Sequence, residues 1–136
     1  MSGVRKKGVV IVDTKKGILV VSVKGRKFIL PGGGARGGES RKSAAIRELY
    51  EETGLKVKEI LYLFSYVGQK WHTASGKSVR DHVKVFLVKV EGIPRPRHEV
   101  KHISFWKSGS TLNITTGTER VIERYLKDYK HHKDSN

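Results

Sequence analysis

The stretch GGARGGESRKSAAIRELYEETGL, residues 33–55, decides how the rest of this chain is interpreted. A glycine-rich segment leads into a helical pattern in which Glu48, Glu51 and Glu52 follow one another at i, i+3 and i+4, so they share one helix face. Like charges at that separation repel, whereas a divalent cation turns the repulsion into coordination. The pattern predicts a metal site, with Mg²⁺ or Mn²⁺ favoured over zinc because the ligands are hard oxygens. The alternative is a solvated acidic face at a helix end.

Capping residues define the bounds of this helix. Ser40 is a good N-cap and predicts a helix from about Arg41 to Thr53. Gly54 suits the left-handed residue that follows a helix. Ala45 and Leu49 give the helix a small apolar face, which predicts that it packs on a sheet.

Arg47 and the glycine-rich loop, which precede the carboxylates, belong to the same predicted site. Arg47 directly precedes Glu48, so we expect its side chain to face away from the metal side of the helix and to brace Glu39 of the loop. The glycines of that loop let backbone groups approach a phosphate or a metal with no Cβ in the way.

The remaining chain alternates between strand and turn signals. Strands are predicted at 8–13, 18–23, 27–30, 57–68, 79–90 and 101–106, a polar loop at 69–77, and an amphipathic closing helix at 116–129. Residues 5–7 and a flexible tail from about 130 to 136 are predicted to be solvated ends. Several strands with two main helices favour an α/β fold with a mixed sheet between helices.

Composition limits the classes of protein that need consideration. A chain of 136 residues suits one domain. It has no cysteine and no long apolar run, and its N-terminus is interpreted as a first strand, not a signal peptide, which together favour a cytoplasmic protein without a membrane span. The net charge is +15, yet residues 33–55 are neutral, so the whole excess lies elsewhere and would attract polyanions, RNA among them. The alternative is a charged surface that serves solubility.

The stretch resembles the Nudix box, G-x5-E-x7-R-E-U-x-E-E-x-G-U with U aliphatic. Every fixed position matches: Gly33, Glu39, Arg47, Glu48, Leu49, Glu51, Glu52, Gly54 and Leu55. The chain looks like a small single-domain Nudix hydrolase, and the looser strand order extends the resemblance over most of its length. The resemblance implies an α/β/α sandwich with a mixed sheet, in which the box forms a loop, a helix and a loop.

The resemblance also implies roles for the box residues. Glu48 and Glu52 match the family's main metal ligands, and Glu51 matches a further ligand or a base. Gly32 lies where the family often offers a backbone carbonyl to the metal. Arg47 matches the residue that orients the carboxylates, Glu39 is its partner in the loop, and Gly33 and Gly54 are structural. The general base varies in this family, and Glu99, in a later loop, is the candidate outside the box.

The implied reaction is attack of a metal-activated water on a diphosphate. The proline marker of ADP-ribose hydrolases would fall at positions 70–71 and the tyrosine marker of diadenosine polyphosphate hydrolases near 72–73, and both are absent. A nucleoside triphosphate, oxidised or not, is therefore favoured. Candidate substrate contacts are Arg36, Lys70, Trp71 and Arg80.

Alternative functions stay open at this point. They are pyrophosphate removal from the 5′-triphosphate end of RNA, hydrolysis of ADP-ribose or an inositol pyrophosphate, and a non-catalytic RNA-binding module that kept the fold. Many relatives form dimers, so a homodimer is a further expectation that the sequence itself does not demonstrate.

Overall fold

The computed structural model describes residues 2–130. The elements are β1 (Ser2–Ile11), β2 (Asp13–Thr14), β3 (Gly17–Ser22), β4 (Gly32–Gly34), α1 (Arg41–Thr53), β5 (Lys56–His72), β6 (Ser78–Glu91), β7 (His102–Trp106) and α2 (Thr116–Tyr125), followed by a π-helical turn at Leu126–Lys130. Among these residues, no helix is long and apolar enough to cross a membrane.

Two sheets lie between the two helices. The larger is mixed, in the order β4-β1-β6-β5, with β1 parallel to β6 and antiparallel to β4. The smaller, β2-β3-β7, is antiparallel. Because side chains alternate along a strand, Val10 of β1 packs with Leu49 of α1, and Val9 packs with Ile122 of α2. The predicted α/β sandwich with a mixed sheet is confirmed.

The first strand is longer than its apolar residues indicate. Residues 5–7, expected to be a solvated end, pair in register with β6 from Arg5↔Asp81 to Lys7↔Val83. Their charges hid the strand from a search for apolar runs. Likewise β5 continues through residues 69–72, where a loop was predicted, because Trp71 pairs with Val79.

Two predicted elements are shorter than expected. Residues 27–30 form only isolated bridges, Val21↔Ile29 and Phe28↔Ile114, and not a strand. The closing α-helix ends at Tyr125 and gives way to the π-helical turn. Lys130, placed by the sequence at the start of a flexible tail, lies in that turn with Nζ 3.1 Å from Asp13 Oδ2. The rest of the predicted tail, 131–136, is outside the described residues.

Candidate active site

Helix α1 has the bounds that its caps predict. The Ser40 side chain accepts a hydrogen bond of 3.0 Å from the Ser43 amide. At the other end Gly54 adopts the left-handed conformation, with φ of 78°, and donates to the Tyr50 carbonyl at 2.8 Å. Such an N-cap is worth about 1 kcal/mol. The two caps fix which turn of the helix carries the carboxylates.

A close approach between α1 and the sheet positions the acidic end of the helix. A Cβ on Gly8 of β1 would overlap the carbonyl oxygen of Arg41 and lie 3.0 Å from the Ala45 Cβ. One strand further out, a Cβ on Gly33 of β4 would lie 2.5 Å from Glu48 Oε2. The Glu48 carboxylate therefore rests directly on the backbone of β4, which only glycine permits.

Arg47 ties the box loop to the helix. Its Nε and Nη2 donate to the two carboxylate oxygens of Glu39, each at 2.9 Å, and Nη2 also donates to the Gly34 carbonyl at 3.1 Å. The hydrogen bond from Arg47 lowers the pKa of Glu39 to about 2, and the Glu39 carboxylate in turn raises the pKa of Arg47. The expected brace between loop and helix is present.

Arg47 also contacts the carboxylates from which it was expected to face away. Its Nη1 lies 2.5 Å from Glu48 Oε1 and 3.4 Å from Glu51 Oε2. One guanidinium thus partly neutralises the acidic face, and residues 2–130 contain no ready-made cage of three or more acidic or histidine side chains. These contacts fit the orienting role that the resemblance implies for Arg47. The expectation from sequence adjacency was wrong, because the arginine side chain is long enough to fold back across its own helix.

Glu52 is largely enclosed by the protein. Its Oε1 accepts a 3.1 Å hydrogen bond from the Gly32 amide, which leaves Oε2 outside that bond. Burial raises its pKa to about 7 and the Glu48 charge adds to the rise, while the Gly32 amide and the Lys7 ammonium act against it. A carboxylate crowded in this way fits a divalent cation, because its donors are hard oxygens and a nearby positive charge would favour its ionised form.

The loop between β6 and β7 holds the end of α1. The Arg95 amide donates to the Thr53 carbonyl at 2.9 Å and the Arg97 amide to the Glu52 carbonyl at 3.1 Å, so carbonyls left over at the helix end are satisfied. Glu99 follows in the same segment with an exposed side chain. Its role as a base stays a prediction.

A cleft of about 340 Å³ opens beside Glu52. It is lined by the basic residues Lys24, Arg26 and Lys27 and by the apolar residues Val23 and Ile29. Sequence reasoning assigned 24–26 to a turn and gave it no function. No local signal connects this turn to a carboxylate more than 20 positions away, since only the fold brings them together.

Arg36 lies beside the box carboxylates, whereas Trp71 lies on the face of the large sheet opposite α1. Arg36 is exposed in the box loop, with Nη2 3.8 Å from Glu51 Oε1. Trp71 donates from Nε1 to Asp81 Oδ1 at 3.1 Å, and Asp81 Oδ2 lies 3.8 Å from Lys7 Nζ. Trp71 is therefore held by a polar chain that leads across the sheet towards β4.

The other two predicted substrate contacts, Lys70 and Arg80, lie on the other face of the sheet. Lys70 and Arg80 form a cross-strand pair, so their side chains share one face of the sheet. That face is opposite to the one shared by Trp71 and Asp81, because each adjoins them in sequence and the side chains of a strand alternate. A β-bulge between Val67 and Lys70 sets this register, which the sequence did not reveal.

Arg5 and Lys7 are candidate phosphate contacts that sequence reasoning missed. The Arg5 Nε lies 2.9 Å from where a Gly34 Cβ would be, and Lys7 pairs with Gly34 across the strands. The signal was available, since Arg5 and Lys7 alternate in step with the buried Val9.

Comparison with known proteins agrees with this fold. The NUDIX domain family matches residues 4–125. An ADP-ribose pyrophosphatase of Methanocaldococcus jannaschii is 30% identical over 126 residues, covering 86% of this chain and 70% of that protein. A nudix hydrolase family member from Chromobacterium violaceum superposes with a TM-score of 0.74 at 27% identity, over 96% of this chain and 85% of its own. The MutT protein of Bacillus halodurans shares the fold with a TM-score of 0.73 at 19% identity, over 91% and 83%.

Together with these matches, the fold and the carboxylate helix define a hydrolase of the α/β structural class. Its substrates are phosphoanhydrides. The chain belongs to the NUDIX family.

Proposed function

We propose that this enzyme is a pyrophosphohydrolase that cleaves a nucleoside triphosphate, ordinary or oxidised, to a nucleoside monophosphate and pyrophosphate. The observation that carries the proposal is the acidic end of α1, where Glu48 rests on Gly33 and Glu52 is enclosed beside Gly32. From the sequence alone, we expect the chain to be one cytoplasmic domain.

Mg²⁺ or Mn²⁺ would be held by Glu48, Glu51, Glu52 and the backbone carbonyl of Gly32, and would supply a water of lowered pKa and neutralise phosphate charge. The protein's own contribution is orientation. Arg47 keeps its two bonds to Glu39, so the loop and helix stay aligned even if Nη1 releases the carboxylates.

The surroundings of the carboxylates suit a substrate with several phosphates. Cations approach them from three segments: Arg36 in the box loop, Arg5 and Lys7 on β1, and the turn that contains Lys24 and Arg26. A chain of phosphates carries more charge than a single diphosphate and gains more from cations on several sides. Trp71 offers an aromatic face on the side of the sheet that carries Arg5 and Lys7.

The decisive variant is Glu52→Gln, matched with Glu59→Gln. Glutamine keeps an oxygen acceptor for the Gly32 amide but cannot bind a cation as a carboxylate, so we expect metal-dependent turnover to fall at least about 100-fold with the fold intact. Glu59 is exposed in an ion pair with Lys89, and its variant should retain wild-type turnover. Unchanged turnover of Glu52→Gln would refute the metal assignment.

ADP-ribose is the second candidate substrate, because the relative from Methanocaldococcus jannaschii is an ADP-ribose pyrophosphatase. A panel with Mg²⁺ and with Mn²⁺ separates the possibilities by product. A nucleoside triphosphate yields pyrophosphate, ADP-ribose yields AMP and ribose 5-phosphate, and a 5′-triphosphorylated RNA yields pyrophosphate and a 5′-monophosphate end. Inactivity on every substrate together with tight RNA binding would favour a non-catalytic module.

A further inference from the structure

A second positively charged surface lies on the side of the large sheet that carries α1. Phe86 and Val88 of β6 pack with α1, whereas Val83 and Val85 pack with α2. The even-numbered residues of β6 therefore face the α1 side. We call the following five residues the basic sheet face: Lys6 of β1, Lys70 of β5, and Arg80, His82 and Lys84 of β6.

The strand register brings these side chains together. Lys6 pairs with His82, and Arg80 pairs with Lys70. Paired residues lie about 5 Å apart, and residues two apart on one strand are separated by about 7 Å. The five side chains thus form a compact patch across three neighbouring strands.

Helix α1 leaves this patch open. The helix begins at Arg41, above Gly8, and Arg41 Nη1 reaches the His82 carbonyl at 3.5 Å. The strands continue past that point without a helix above them. Val4 and Val67, on the same face, are 57% and 55% exposed.

The basic sheet face has no acidic side chain among the described strand residues that share it. The nearest strand carboxylate, Asp81, projects to the opposite face, where it bonds Trp71 and Lys7. Glu39, in the loop before α1, is held by Arg47. Part of the net charge of +15 is therefore concentrated here, without local neutralisation.

We propose that the basic sheet face binds a single strand of nucleic acid through its phosphates, at a site separate from the carboxylates of α1. An open sheet that carries cations is a platform on which single strands are bound in other folds. A helix about 10 Å across stands on the same side of the sheet and would hold a flat membrane away from the strands, whereas a flexible strand can pass beside it. This binding goes beyond the proposed hydrolysis and does not depend on it.

The test compares two triple variants that each remove three positive charges. Lys6, Lys70 and Arg80 are replaced by serine in the face variant, and Lys101, Lys107 and Lys127, which are exposed elsewhere, are replaced in the control. Binding of a labelled 20-nucleotide RNA is followed by fluorescence anisotropy in EDTA over a range of salt. Three lost phosphate contacts should reduce the slope of log K against log salt by about 2 and weaken binding about 100-fold at 0.1 M salt. The control should change affinity less than about threefold.

Several outcomes would contradict binding of RNA at the basic sheet face. Equal weakening in both variants would show that net charge, not this face, binds RNA. Absence of wild-type RNA binding at 0.1 M salt, or binding to anionic vesicles without binding to RNA, would also overturn it. Hydrolysis of a small nucleotide by Lys6→Ser and by Lys84→Ser, neither of which is a candidate substrate contact, should stay at the wild-type rate, whatever substrate the panel identifies. A loss of that activity, with the thermal unfolding temperature unchanged, would assign these residues to the active site instead.

Discussion

Replacing Gly33 by alanine tests the central feature of the site, the contact between β4 and Glu48. The new Cβ would lie 2.5 Å from Glu48 Oε2, 2.6 Å from Cδ and 2.8 Å from Cγ. Ordinary contacts begin at about 3.4 Å, so the carboxylate must retreat by about 0.9 Å. The atoms in conflict are the far end of a flexible side chain, and the backbone of β4 can stay in place.

The expected cost is large for catalysis and small for stability. A misplacement of about 1 Å at a catalytic group can cost about 100-fold in rate, equivalent to about 2.7 kcal/mol in the barrier. Crowding costs roughly 1–3 kcal/mol in a packed core, but here Glu48 can rotate away. Alanine also lowers the entropy of the unfolded chain, which contributes about 0.4–1 kcal/mol of stability. The free energy of unfolding should therefore change by less than about 1 kcal/mol.

Gly37→Ala, in the loop that follows β4, is the matched control, because a Cβ at Gly37 meets nothing within 4 Å. The assay is kcat/KM with saturating Mg²⁺ on the substrate that the panel identifies, together with thermal unfolding. We expect Gly33→Ala to lose about 100-fold and Gly37→Ala to stay within about threefold. Wild-type kcat/KM in Gly33→Ala would refute the argument that catalysis needs Glu48 against the strand.

Three further predictions follow from other contacts. Gly8→Ala should lower the free energy of unfolding by roughly 1–3 kcal/mol in urea titrations, because its Cβ would overlap the backbone oxygen of Arg41; an unchanged midpoint would contradict this. Glu39→Gln should make the free energy of unfolding less dependent on pH in acid. The Glu39 carboxyl has a pKa of about 2 in the fold and near 4.3 in the unfolded chain, so its ionised form stabilises the fold above pH 4.3. This contribution is lost as the pH falls towards 2. The wild type should therefore lose more stability than the variant between pH 6 and pH 2.5, and equal losses would count against the Arg47–Glu39 pair. Arg5→Gln should raise KM about tenfold or more, whereas Lys6→Gln, on the opposite face, should not; equal effects would deny that Arg5 contacts substrate.

The parts of the fold that the sequence predicted well are those with local signals. Ser40 and Gly54 fixed helix α1 to the residue, since each cap acts within one turn. Most strands with recurring apolar residues were placed well, although the run at 28–30 forms only isolated bridges, and strands were placed poorly where charge interrupts them. Trp71 lies in a part of β5 that only its pairing with β6 reveals, because backbone hydrogen bonds across a sheet impose no requirement on nearby sequence.

The candidate site divides along the same line. Helix periodicity predicted that Glu48, Glu51 and Glu52 are neighbours on one helix face. It did not predict which other residues surround them. Long-range packing brings the Gly32 amide to Glu52, to which it donates, and brings Lys27 to the adjacent cleft. The face on which Lys70 lies has a narrower cause: one irregularity in a register reverses the face of every residue beyond it.

Alternation along β1 also explains how one chain can serve two anionic partners. Arg5 and Lys7 project to the face opposite α1, beside Gly34 of β4, and Lys6 between them projects to the basic sheet face. A strand inserted between β4 and β6 thus supplies positive charge to both faces. The acidic end of α1 lies at the β4 edge, so a cation bound there would raise the positive potential at the active site alone. Metal binding should therefore strengthen the binding of a nucleotide while leaving RNA binding at the basic sheet face unchanged, and a competition between the two ligands with and without Mg²⁺ distinguishes two sites from one.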